Sequence, residues 1–199
     1  ILVPILFGFA LQGCGGEDEG EQANAADLDP DIDIALDGSV GDGPISGAHF
    51  NPAVTAVMRF NGERLPAPVP AYVAVQVIAA IAGVFVAHAM FGEPLWQPGD
   101  QVRTGMAQWL SEGVATFGLL LTILIGVRHR PQAIPALVAA YIFAAYWFTA
   151  STSFANPAVT LARAFTQTFA GIRFADVGGF VVAQAAGASI AWGVAKRLL

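Results

Sequence analysis

A five-residue string occurs twice in the chain, as Asn51-Pro52-Ala53-Val54-Thr55 and as Asn156-Pro157-Ala158-Val159-Thr160. Asn is a good N-cap, because its side-chain oxygen accepts from the unpaired N–H groups of a first helical turn. Pro suits the next position, where an N–H would have no helical partner anyway. Each string therefore starts a helix. The first helix runs from Pro52 to about Phe60, where Asn61-Gly62 stops it. At ~1.5 Å per residue it measures roughly 14 Å, about half a bilayer. Long apolar stretches flank both strings, so two helices too short to span must lie buried among membrane helices. Irregular backbone is tolerated there only against protein or beside a cavity. Two such half-helices imply a pore.

Composition agrees with a membrane chain: 55% of residues are hydrophobic and 12% charged. The formal net charge of −6 misleads. Acidic residues crowd between Glu17 and Asp42, and no Lys or Arg precedes Arg59. From Pro44 onward basic residues outnumber acidic ones, but they sit at helix ends and form no basic face, so nothing points to nucleic acid. They report topology instead.

Residues 1–43 read as one unit and residues 44–199 as another. Ile1 to Leu11 form an apolar run too brief to span, followed by Gln12-Gly13-Cys14 and a Gly/Asp/Glu-rich stretch. The pattern looks like a bacterial lipoprotein signal, with Cys14 as the lipidated residue and an acidic, solvated linker behind it. The other reading makes this run a broken span and Cys14 an ordinary lone thiol. Asp27, Asp29, Asp31 and Asp33 alternate like a calcium loop, but Ile32 stands where such a loop needs Gly, so no calcium is expected.

Beyond the first half-helix, apolar spans are expected at about Pro70 to Phe91, Gly105 to Val127, Ile134 to Ala150 and Ala175 to Ala195. The hairpin Arg128-His129-Arg130-Pro131 and the end Lys196-Arg197 are basic and belong on the cytoplasmic side. His49, His88 and His129 are scattered, and no nucleophile–base pair, metal-ligand cluster or phosphate loop appears. An enzyme is not expected, nor a metal or other cofactor.

The context of the strings repeats as well. Ser46-Gly47-Ala48-His49-Phe50 precedes the first and Ser151-Thr152-Ser153-Phe154-Ala155 the second, while Gln76 and Gln184 recur inside apolar runs downstream. SGAHFNPAVT followed by a second NPA resembles the aquaporin and aquaglyceroporin family, the major intrinsic proteins, from Pro44 to Leu199. That resemblance implies an all-α membrane protein, an inverted-repeat bundle with two re-entrant half-helices. The family has six spans and four are read here, so the chain is expected to be a truncated or fused form without the first two.

The resemblance also implies roles. Asn51, Pro52 and Ala53 with Asn156, Pro157 and Ala158 would form the mid-membrane station. Backbone carbonyls of Gly47, Ala48, His49, Ser153, Phe154 and Ala155 would supply acceptors. Glu112, a carboxylate inside a span, would bond the N–H groups of a pore loop; the alternative reading is a helix-end residue near the interface. The position after the second NPA usually holds Arg and here is Val159, so the outer filter loses its fixed charge. Phe143 or Ala144 would form the opposite wall. Arg163, one turn beyond Val159, either sits in the outer vestibule or snorkels to the surface. The expected function is passive passage of water, glycerol-like polyols and metalloid hydroxides such as arsenous acid, through a homotetramer in a bacterial inner membrane. The competing expectation is a non-conducting remnant or a lipid-anchored fusion.

Overall fold

The computed structural model describes residues 47–199. Cys14, the acidic stretch and the boundary at residue 43 lie outside the described residues. Within them all regular structure is helical. Helix α1 is Pro52–Phe60, α2 Val69–Met90, α3 Met106–His129, α4 Ile134–Phe148, α5 Pro157–Ala162 and α6 Phe174–Leu198. Short 3-10 turns at Pro131–Ala133 and Arg163–Phe165 extend the start of α4 and the end of α5.

Four segments are long and apolar enough to cross a membrane: α2, α3, α6, and α4 with its leading 3-10 turn. Their bounds lie within three residues of those expected from the apolar runs. The half-helices start where Asn-Pro places them. Asn51 and Asn156 have nearly the same extended backbone, with φ of −152° and −156°. The Asn51 side chain accepts from Ala53 N, and that of Asn156 from both Ala158 N and Val159 N. Asn61 ends α1, and Gly62, at φ +92°, turns the chain away as only glycine does without strain.

The best-packed pair is α3 with α6. A Cβ on Gly187 would collide with the Gly113 carbonyl, so the two backbones touch there, the close approach that small residues permit between membrane helices. Leu119, Leu120, Ile123 and Leu124 of α3 pack with Ala188, Ala191 and Ala195 of α6 and with Val54 and Val57 of α1. A second cluster joins Ala80 and Val84 of α2 to Ala158 and Ala162 of α5. Each half-helix is thus wedged against a span. Helix α4 is the least covered, with Ala145 its one buried residue, and turns Phe143, Trp147 and Phe148 outward. Large apolar side chains facing out also occur on α2 and α6 at Ile78, Val182 and Ile190, as lipid-facing surfaces require.

Candidate pore site

The two half-helices meet end to end, and the asparagines that cap them also join them. Asn51 Nδ2 donates to the Ala155 carbonyl at 2.7 Å, and Asn156 Nδ2 donates to the Phe50 carbonyl at 2.8 Å. Each amide therefore reaches across to the residue that precedes the other asparagine. Each also has a second N–H, since a carboxamide carries two. The same oxygen–nitrogen pair serves as cap and as crosslink, so neither amide can turn without breaking its own helix start.

The threonines that close the strings are used in the same symmetrical way. Thr55 Oγ1 bonds back to the Asn51 carbonyl and Thr160 Oγ1 to the Asn156 carbonyl. Gln76 of α2 donates to Thr55 Oγ1 at 3.0 Å, and Gln184 of α6 donates to Thr160 Oγ1 at 2.7 Å. Sequence reading noted the recurrence of the two glutamines but not their partners. The signal was present, because a threonine ends each copy of the repeat.

Both loops leading into the strings use left-handed backbone. Ala48 and Phe50 in the first, and Thr152, Ser153 and Ala155 in the second, have φ between 46° and 62°. Such conformations cost about 1 kcal/mol or more each in residues with a Cβ and persist only when their surroundings fix them. The second loop is fixed by Glu112 of α3, which is fully buried. Its Oε2 accepts from Phe154 N at 3.2 Å, and its Oε1 accepts from Ala155 N and from Gln184 Nε2. A buried carboxylate is costly unless its lone pairs are satisfied, and here three donors point at two oxygens. In the first loop His49 Nε2 lies 3.2 Å from Glu63 Oε1, and the imidazole stands edge-on to Tyr72.

The outer side is closed by a loop that sequence reading did not connect to the site. Arg103 is buried and donates to the carbonyls of Gly171, Ser151 and Phe169, tying residues 99–105 over the end of α5. Its backbone N–H donates to Asp176, which also pairs with Arg173 at 3.0 Å. His88 adds a second tie: Nδ1 lies 3.1 Å from the Leu95 carbonyl and Nε2 3.0 Å from Thr166 Oγ1. A carbonyl can only accept, so Nδ1 carries the hydrogen.

Val159 is half-buried one turn inside Arg163. Arg163 does not snorkel: it is 4% exposed, donates from Nη2 to Tyr146 Oη at 2.9 Å, and lies 4.2 Å from the centre of the Phe154 ring. Tyr146, half-buried, offers the guanidinium a partner nearer than the surface. Of the two residues read as the facing wall, Phe143 is 70% exposed and Ala144 is exposed too. The α4 side chain that reaches the α5 end is that of Tyr146, which sequence reading missed. Two cavities, of about 670 and 660 Å³, lie along α1: the first at its C-terminal end, beside Asn61, Glu63, Arg128 and Lys196, and the second an apolar groove reaching Pro52 and Pro157 from Val181 and Trp192 of α6.

Comparison with known proteins places this architecture. Residues 34–150 match the major intrinsic protein family. Over 157 residues the chain is 57% identical to aquaglyceroporin AqpS of Rhizobium meliloti (strain 1021), covering 79% of this chain and 67% of that protein. It is 33% identical over 144 residues to the glycerol uptake facilitator protein of Bacillus subtilis (strain 168), covering 64% and 52%. It is 31% identical over 123 residues to an aquaglyceroporin of Toxoplasma gondii (strain ATCC 50611 / Me49), covering 58% and 45%. The chain thus spans from about half to two thirds of the length of these relatives.

Proposed function

We propose that this chain, which belongs to the major intrinsic protein family, forms a passive membrane channel for small uncharged solutes. The observation that carries the reading is the head-to-head junction, in which Asn51 and Asn156 cap two half-helices and bond across to Ala155 and Phe50. Both helix N-termini point their partial positive charge at that junction and disfavour cations and hydronium there. The second N–H of each amide donates to a passing hydroxyl. Carbonyls of Gly47, Ala48, His49, Ser153, Phe154 and Ala155 accept from it, the Ala155 oxygen doing so beside the bond it already receives from Asn51. A neutral solute that both donates and accepts exchanges its water shell for this ladder.

The solute class follows from the filter. Val159 brings no charge and little bulk to the position assigned to the outer opening, so the ring admits molecules wider than water. Glycerol-like polyols and metalloid hydroxides such as arsenous acid fit that opening, and water passes with them. Relatives named as a glycerol uptake facilitator and as aquaglyceroporins support the polyol part of the assignment. The working form is a homotetramer in a bacterial inner membrane, Glu112 holds the second pore loop, and no catalytic step is involved.

Shrinkage of proteoliposomes under glycerol and under sucrose gradients, followed by light scattering, tests the proposal. Glycerol and water fluxes well above those of protein-free vesicles are expected, with both lost in Asn156→Leu. Fluxes equal to those of protein-free vesicles, from a folded chain, would leave the non-conducting remnant as the reading.

A further inference from the structure

We propose that Arg103 is a positioning residue for solute selection: it clamps together the two arms of the re-entrant segment that carries α5, and so sets where the Ser153 and Phe154 carbonyls stand. The inference rests on the channel reading above, which gives those carbonyls to the solute, and adds to it a residue of the outer loop.

The clamp is made by three different nitrogens of one side chain. Arg103 Nη1 donates to the Ser151 carbonyl at 3.1 Å, in the arm that leads into Asn156. Nε donates to the Gly171 carbonyl at 2.6 Å and Nη2 to that of Phe169 at 2.7 Å, both in the arm that leaves α5. The base of the side chain is fixed as well, because the Arg103 N–H donates to Asp176 Oδ2 at 2.8 Å and the nearby Gln101 carbonyl accepts from Arg173 N. A planar fork anchored at its base therefore holds Ser151 in fixed relation to Phe169 and Gly171, and the second half-helix lies between the two arms.

Strain in the first arm gives the clamp its consequence. Thr152 and Ser153 have φ of 62° and 47°, the left-handed region that residues with a Cβ keep only when their surroundings fix them. They lie between two anchors. On one side stands Ser151, whose carbonyl is taken by Arg103 and whose N–H donates to Ser111 Oγ at 3.2 Å. On the other stand Phe154 and Ala155, whose N–H groups donate to Glu112. The Phe154 ring lies 4.9 Å from the Arg103 guanidinium, so the fork meets the arm at both ends of the strained pair. Without the fork the Ser151 anchor is halved, the pair relaxes, and the carbonyls of Ser153 and Phe154 turn from their places. A polyol carries several hydroxyls and needs successive acceptors in register, whereas a water molecule makes do with one at a time.

The test uses the full chain in proteoliposomes, with glycerol and water fluxes read by light scattering and compared as a ratio. Loss of folded channels lowers both fluxes together and leaves the ratio alone; displaced carbonyls lower the ratio. In Arg103→Met the ratio of glycerol to water flux is expected to fall about fivefold, the worth of one modest hydrogen bond to the solute. Arg103→Lys keeps the charge but gathers its donors on one nitrogen, which cannot serve three separated carbonyls, so a fall of about threefold or more is expected there too. Arg173→Gln breaks the ion pair with Asp176 outside the clamp and is expected to keep the parental ratio within about twofold. A parental ratio in both Arg103 variants overturns the proposal and leaves Arg103 a packing residue. A parental ratio in Arg103→Lys alone also overturns it, by assigning the effect to charge rather than to the fork. An equal fall in Arg173→Gln overturns it as well, tracing the effect to the outer loop at large. Should Arg103→Met fail to fold, Arg103→Lys against Arg173→Gln carries the test: a fall confined to the first supports the proposal, and equal ratios overturn it. Absence of glycerol flux in the parent itself removes the channel reading, a result distinct from these.

Discussion

Gln184 Nε2 lies 2.8 Å from Glu112 Oε1 and 2.7 Å from Thr160 Oγ1, so one amide on α6 links the carboxylate of α3 to the second half-helix. All three side chains are fully buried. Through Glu112 the link continues to Phe154 N and Ala155 N, and through the Ala155 carbonyl to Asn51. The loop before Asn156 is therefore not held by its own sequence. Its left-handed residues are fixed by two spans that cross at Gly113 and Gly187.

Glu112→Gln tests that dependence. A neutral amide has one accepting oxygen and turns an NH2 group toward donors, so at least one of Phe154 N, Ala155 N and Gln184 Nε2 loses its partner. Leaving one buried donor unsatisfied costs about 1–3 kcal/mol. Chemical denaturation in detergent is expected to show a loss of that size, with glycerol flux falling further than stability because the loop carbonyls lose their aim. An unchanged midpoint together with parental flux would show that Glu112 is dispensable.

The crossing itself gives a sharper contrast. Gly187→Ala drives a methyl group into the Gly113 carbonyl, and backbone cannot yield as a flexible side chain can. Overpacking of this kind costs about 1–3 kcal/mol. Gly193→Ala on the same helix meets nothing within 4 Å and is expected to be neutral or slightly stabilising. Equal thermal stability of the two variants in detergent would contradict the close approach of α3 and α6.

How far such features could be read from the sequence depends on their range along the chain. Helix starts and stops are local: Asn-Pro, Asn61-Gly62 and the basic hairpin at Arg128 mark them, and the apolar runs between set the spans. The repeat carried further, because identical strings imply identical caps and a symmetrical junction. Arg103 left no such mark. Its partners are carbonyls of residues 151, 169 and 171, and backbone carbonyls carry no residue type for a pattern to betray. For Arg163 the sequence left two readings open, the vestibule and the surface. A cation near the end of a membrane segment ordinarily reaches for water, and only the folded position of Tyr146, on a different helix, offers it a half-buried partner instead.

The two asparagines make a further prediction about coupling. Asn51→Ala removes the cap on Ala53 N and the bond to the Ala155 carbonyl; Asn156→Ala removes the caps on Ala158 N and Val159 N and the bond to the Phe50 carbonyl. Each single change is expected to cost about 1–2 kcal/mol, a cap with a modest hydrogen bond. The double variant should cost less than the sum, by about 0.5 kcal/mol or more, since either change already loosens the junction that both bonds close. Strict additivity in a denaturation cycle would mean that the half-helices are held apart from each other by their spans alone.

Val159→Arg addresses the solute. The substitution places a long, charged side chain one turn inside Arg163, on the face assigned to the outer opening, so it narrows the ring and adds fixed donors. Glycerol and arsenous acid are bulkier than water and are expected to slow about tenfold or more, while water, which needs little width and can use the new donors, changes by less than about threefold. The like charge of Arg163 four residues on works against the variant's stability by only a few tenths of a kcal/mol, so folding is expected to survive. Exclusion of cations should persist or tighten, because the helix N-termini at the asparagine junction are untouched and the new charge adds to the barrier. Glycerol, arsenous acid and water would be measured side by side in proteoliposomes. Equal loss of all three, or no loss of any in a folded protein, would place Val159 away from the opening and remove the main physical support for passage of polyols and metalloid hydroxides.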